Sequence, residues 1–176
     1  DASRWVIVVE LIGMPESNEA VRALGLGYLY DQIAHAAKVL RTSLPGHTIY
    51  HVGPTHLAFC LAGEDDAPAT LSMLHSQLRE PFATSSGIPA KLSPGFGARK
   101  LAGADLGSPD VLRTLLQTAR EARGNGQGIA LYDPIADAAQ KRAYCLVAEM
   151  PRALAENELF LVFQPRIKAA TALCDS

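Results

Sequence analysis

Three kinds of side chain in this sequence have the chemistry to make a site: one carboxylate, a group of imidazoles and a pair of arginines. Glu10 closes the apolar run Trp5-Val6-Ile7-Val8-Val9, and its ordinary role there is that of a strand-end glutamate. His47, His51 and His56 lie close together, and neutral imidazoles suit zinc or copper better than Mg²⁺. His51 and His56 have opposite parity in an extended chain, which works against convergence and favours solvent-facing or locally hydrogen-bonded roles. Arg120 falls near the end of an expected helix, where a cation complements the macrodipole. Asn18 is a residue type that caps helices. No Ser-His-Asp or Cys-His arrangement is singled out by spacing. Cys60, Cys145 and Cys174 are too scattered for a zinc site or a disulfide framework and point to a reducing cytosol.

The elements that must position these groups follow from the apolar pattern. Residues 4–11 read as a buried strand ended by Gly13 and Pro15. Ser17 or Asn18 can cap a helix in which Val21, Leu24, Tyr28, Ile33, Ala37 and Leu40 recur at helical spacing, up to Pro45-Gly46. Gly25 and Gly27 weaken its first part by up to ~1 kcal/mol each. Residues 48–52 and 57–61 are strand-like and flank a Gly-Pro turn, as in a β-hairpin. Asp66 and Pro68 start a helix leading to Arg79. Residues 89–102 are extended but interrupted by Pro94, Gly95 and Gly97, so a kinked or bulged strand is expected. Ser108-Pro109 signals a helix through Arg123, and residues 128–132 form a short strand. The order β-α-β-β-α-β-α-β predicts an α+β fold with a mixed central sheet flanked by helices, ferredoxin-like in type. Residues 135–157 then read as a helix kinked or divided at Pro151, followed by a strand at 159–163 ending in Gln164-Pro165.

Composition narrows the function classes. A formal net charge of −2 lacks the basic excess of a nucleic-acid binder, and no apolar run reaches the ~18 residues of a membrane span, so no membrane contact is expected. The 176 residues allow one domain plus a tail, and without an initiator Met the chain reads as an excised fragment.

The segment Gly53-Pro54-Thr55-His56-Leu57, with the strands around it, resembles the GGDEF domain, the diguanylate cyclase fold. There the hairpin tip reads Gly-Gly-Asp/Glu-Glu-Phe and supplies a metal-binding carboxylate, with a second at the end of the first strand. The resemblance therefore implies a nucleotidyl-cyclase type fold with a degenerate motif at Gly53, Pro54, Thr55, His56 and Leu57. Glu10 matches the first-strand carboxylate, leaving it a weak metal candidate in a site with no other metal ligand. Pro54 removes an N–H donor, which either blunts the nucleotide site or simply makes a stable turn. Asn18 falls at the family's guanine-binding asparagine, while Gly27 replaces the partnering aspartate. Ala119-Arg120 keeps a cation where a phosphate-contacting Ala-Lys pair is usual, and Arg123-Gly124-Asn125 inverts Gly-Arg-Asn. Leu44 and His47 replace the Arg and Asp of the inhibitory Arg-x-x-Asp motif, with Arg41 out of register.

Residues 152–165, from Arg152-Ala153-Leu154 to Phe163-Gln164-Pro165, look like the opening of an EAL domain, the cyclic di-GMP phosphodiesterase family. The resemblance implies a degenerate GGDEF-like domain at 1–133, a C-terminal linker helix at 134–157 and the truncated start of an EAL domain at 158–176. The EAL glutamate is absent, so no phosphodiesterase site is expected in this fragment. The implied role is a catalytically inactive, cytoplasmic, bacterial regulatory domain with no catalytic residues and no cofactor, relaying signals from an upstream sensor domain to its own downstream EAL domain. Two alternatives stay open: a module binding GTP with Mg²⁺ as a weak allosteric ligand through Asn18 and Arg120, or a homodimerisation or protein-docking module.

Overall fold

The computed structural model describes residues 3–102, 110–160, 162, 166–167 and 174–175. The chain forms two units, Asp1–Tyr132 and Asp133–Ser176.

In the first unit, β1 (Arg4–Glu10) is the middle strand of a five-stranded sheet. It is antiparallel to β3 (His56–Ala62) on one side and to β6 (Gly95–Leu101) on the other. β2 (Tyr50–Gly53) pairs with β3, and β7 (Ile129–Leu131) runs parallel to β6, giving the order β2-β3-β1-β6-β7. The mixed sheet and α+β class expected from the element order are therefore observed. Ile7, Val8 and Val9 are fully buried because β1 is covered on both faces, which is why it reads as an unbroken apolar run. One face carries Ile7, Val9, Leu57 and Phe59 against α2 (Leu26–Ser43) and α3 (Ala67–Leu78). The other packs Val8 and Ala58 against Leu115 and Ala119 of α4 (Asp110–Gly124).

Several local expectations are corrected. The first helix starts at Met14 rather than at a Ser17 or Asn18 cap: α1 (Met14–Leu24) has Gly13 at its N-cap and Pro15 in its first turn. Proline's fixed φ suits that turn, so Pro15 opens the helix as well as following the strand. The Ser17 hydroxyl donates to the Met14 carbonyl, and Asn18 lies inside the helix. The single helix expected up to Pro45-Gly46 is two, the second ending at Ser43, because Gly25 adopts φ 83° between α1 and α2. The expected kinked strand at 89–102 is also two elements. β5 (Pro89–Ala90) pairs with β4 (Phe82–Ala83) in a separate hairpin, and β6 begins only after Pro94, which has no N–H for a ladder. Gly97 serves helix packing: a Cβ there would lie 2.6 Å from the Leu115 carbonyl oxygen and 2.7 Å from the Ala119 nitrogen. Asp66 caps α3 as expected, accepting from the Ala69 N–H at 3.1 Å. The Ser108-Pro109 cap lies outside the described residues.

In the second unit, α5 (Pro134–Ala155) is capped by Asp133, whose carboxylate accepts from the Ile135 N–H at 2.8 Å. Pro151 neither ends nor divides it. It sits in the penultimate turn, and the helix continues past it to Ala155. The strand expected at 159–163 is absent at Leu159, Phe160 and Val162, and its other two positions lie outside the described residues. An apolar run becomes a strand only where a neighbour completes its backbone ladder. β8 (Arg166–Ile167) and β9 (Cys174–Asp175) form a two-stranded pairing. No described helix is long and apolar enough to cross a membrane.

Candidate functional site

The C-terminal end of β1 and the start of β3 bring chemistry together. Glu10 is the antiparallel partner of His56 on one side and of Gly95 on the other. Alternation along β1 and β3 puts Glu10 and His56 on the face of Val8 and Ala58, beneath α4. Glu10 is 1 % exposed and His56 6 %, with His56 Nε2 3.7 Å from Glu10 Oε1. Thr55 is fully buried, its hydroxyl 3.5 Å from His56 Nδ1, and its carbonyl accepts from the Leu11 N–H at 2.9 Å. The segment expected to form the hairpin tip is therefore folded inward, with His56 and Leu57 already inside β3. Only Pro54 is exposed, while Gly53 ends β2 with a register shift between His51 and Gly53.

α4 supplies the positive charge. Arg120 Nε lies 3.9 Å from Glu10 Oε1, and Arg123 Nη2 donates to Glu16 Oε1 at 2.6 Å. A solvent-facing Arg120 near the helix end is the sequence expectation; its side chain is 60 % exposed, yet its Nε comes within 3.9 Å of the buried carboxylate. The helix can descend this far because β6 offers glycine where other residues would collide. A Cβ on Gly95 would come within 2.6 Å of the Arg123 backbone nitrogen.

The electrostatics follow from burial. Desolvation pushes the Glu10 carboxyl above its usual value, Arg123 and then Arg120 pull it back, and Glu16 adds to the rise. Arg120 makes the closer contact, yet Arg123 exerts the stronger pull, so both guanidinium groups count as its counter-charge. Burial, followed by the neighbouring Arg120 and His51, lowers the His56 pKa and favours its neutral form. Glu16 moves the other way: hydrogen bonds from its own backbone N–H and from Arg123 lower its pKa. Glu10 Oε2 and Arg123 Nε have no hydrogen-bond partner among the described residues.

The remaining sequence candidates do not join this cluster as ligands. His51 pairs with Leu57, so it lies on the opposite face of the sheet from His56. There it lines a cleft of about 350 Å³ with Tyr30, Ile33 and Arg41. His47 is exposed, its Nδ1 3.3 Å from the Pro45 carbonyl. The parity argument against a three-histidine centre thus describes the geometry. Asn18 is exposed on α1 and does not cap it. Sequence reasoning missed the Glu16–Arg123 pair and the burial of Thr55. The small residues Gly95, Gly97 and Ala119 were the available signal, since they mark where α4 meets the sheet.

The cluster does not suit Mg²⁺. Glu10 is its single carboxylate facing His56, Thr55 offers only a hydroxyl, and two guanidinium groups act on that carboxylate. Among the described residues no group of three or more His, Cys, Asp or Glu could hold a metal ion.

No protein-family model matches the chain. It is 34% identical over 178 residues to the cyclic di-GMP phosphodiesterase PA2567 of Pseudomonas aeruginosa, an alignment covering 99% of this chain and 30% of that protein. The chain thus spans under a third of the curated relative it matches. Its fold is similar to the crystal structure of the GGDEF domain of PA2567, with a TM-score of 0.70 and 28% identity over 76% of this chain and 86% of that one. The GGDEF domain of FimX from P. aeruginosa follows at TM-score 0.63 and 19% identity, covering 74% of this chain and 80% of that one. The active GGEEF domain of a diguanylate cyclase from Vibrio cholerae gives 0.57 at 15% identity, covering 74% and 83%. The first unit of the chain has the fold of a GGDEF domain.

Proposed function

We propose that this chain is a catalytically silent GGDEF domain of a bacterial cyclic di-GMP signalling protein, which regulates an adjoining EAL phosphodiesterase domain. One observation carries the reading. The two positions where a cyclase needs metal-binding carboxylates hold Glu10 and the Thr55-His56 pair, and Glu10 is buried between His56 and Arg120. Joining two GTP molecules requires cations to neutralise the phosphates, and this arrangement offers them one carboxylate already engaged by arginine.

The regulatory half of the reading draws on the named phosphodiesterase relative and on the EAL-like residues 152–165. In such a protein α5 would be the connecting element, capped at Asp133 and continuous through Pro151. Allosteric GTP binding has less support, because Gly27 stands where the aspartate partnering Asn18 would be and Arg120 already faces Glu10. The test is to incubate the chain at high concentration with GTP and Mg²⁺ or Mn²⁺ and to separate the nucleotides. The reading requires unreacted GTP; accumulation of cyclic di-GMP overturns it.

A further inference from the structure

The helix α5 of the second unit presents an apolar side to solvent. Ala136, Ala139, Ala143, Leu146, Met150 and Ala153 follow one another at alternating steps of three and four, the spacing of a coiled-coil seam. Val147 and Leu154 widen the seam along one border. None of the 22 residues of α5 is buried, and Leu146, Val147, Met150 and Leu154 are between 47 % and 65 % exposed. The charged pairs Asp137–Lys141 and Arg152–Glu156 lie on the other side of the helix and are satisfied within it.

Two features of the seam state what fits it. The first is a gradient of size: its N-terminal half is alanine, while Leu146 and Met150 stand in its C-terminal half. Two copies running in the same direction would set alanine against alanine and leave one end unfilled. Two copies running in opposite directions, with the two-fold between Tyr144 and Cys145, set Ala139 against the partner's Met150 and Ala143 against the partner's Leu146. Small then meets large along the middle of the seam, as close packing requires. The second feature is charge. Arg142 and Glu149 are seven residues apart, so they border the seam at equivalent places, and neither makes an ion pair among the described residues. In the same antiparallel register Arg142 stands beside the partner's Glu149, and Glu149 beside the partner's Arg142. In a parallel pair they would stand beside the partner's Val147 and the partner's Leu154 instead. Bordering charges of this kind set orientation as well as partner.

We propose that α5 is a self-association surface, which pairs antiparallel with the α5 of a second copy of this chain. The inference goes beyond the silent-site reading and does not rest on it, since none of its residues belongs to the cluster around Glu10.

The test is sedimentation velocity of the whole chain over a micromolar concentration series. Wild type is predicted to form a reversible dimer. Arg142→Glu and Glu149→Arg each place like charges at both bordering pairs, and each is predicted to weaken the dimer at least about tenfold. The double variant carrying both changes restores opposite charges and is predicted to return to within about threefold of wild type. Both positions are exposed, and circular dichroism establishes that each variant is folded. A wild-type chain that stays monomeric overturns the inference and leaves the seam to a different occupant, such as an adjoining domain. A dimer indifferent to both single reversals is held by another surface and overturns it too, as does a double variant no stronger than the singles. GTP turnover by wild type would remove the silent-site reading and leave this inference standing.

Discussion

Arg120 on α4 comes within 3.9 Å of Glu10, a carboxylate only 1 % exposed at the end of the central strand that the helix covers. A bare carboxylate at that depth would be costly, and a cation is the usual remedy. This chain supplies the cation from its own helix.

The pair is lopsided, and that determines what Glu10→Gln does. Removing one partner of a buried ion pair is normally damaging because the other is left charged and dry. Here Arg120 is mostly solvated and Arg123 keeps its hydrogen bond to Glu16, while burial is the largest influence on a Glu10 pKa that is raised on balance. Glu10→Gln is therefore predicted to melt no lower than wild type, and to melt higher at neutral pH. Thermal denaturation checks this, and a clear loss of stability would mean that the carboxylate's attractions exceed its desolvation.

Gly97 is the position where α4 comes closest to the sheet. A Cβ there would lie 2.6 Å from the Leu115 carbonyl oxygen. Gly97→Ala should push the helix outward and cost about 1–3 kcal/mol, the usual range for overpacking a core. Chemical denaturation measures the loss, and a variant as stable as wild type would mean the helix tolerates the shift.

Much of this fold was legible in the sequence. The apolar run of β1, the hairpin signals and the Asp66 helix start are local, and they placed β1, β2, β3 and α3 in the right order. The site was less legible because its key relationships are long-range. Glu16 and Arg123 are 107 residues apart, and nothing local to either announces the pair. Pro15 has two local meanings, strand end and helix start, and only packing selects between them. The strand expected at 159–163 had the right composition, but a strand is completed by its neighbours.

Gly25 separates α1 from α2 at φ 83° and ψ 171°, a backbone region essentially confined to glycine, with open space around it. Gly25→Ala meets no steric obstacle beyond its own backbone, so its cost should be about 1–3 kcal/mol, the strain of a side-chain-bearing residue held in that region. Urea denaturation tests it. A stabilised variant would mean that the two helices prefer to run on as one.

Stability should fall as the pH is lowered from neutrality. His35 stacks on Phe82 with ring centroids 3.7 Å apart, and burial, with Lys38 nearby, lowers its pKa from 6.5. Burial and Arg79 do the same for His75, which meets Phe96 edge-on. Between the lowered folded value and the unfolded value the unfolded chain binds more protons. The contribution of each histidine is thus fully present above about 6.5 and is lost as pH falls through the folded value. His35→Phe keeps a stacked ring and removes one titrating group, so its melting temperature should decline less steeply over the same range. An unchanged slope would assign the acid sensitivity elsewhere.

The most direct test of a silent nucleotide site is calorimetric titration of the wild-type chain with GTP in the presence of Mg²⁺. The account predicts no saturable heat at millimolar nucleotide, because the buried Glu10 carboxylate already faces Arg120, and Thr55 and His56 supply no second carboxylate for Mg²⁺. Saturable binding that disappears in Asn18→Ala would contradict it and make this domain a nucleotide sensor.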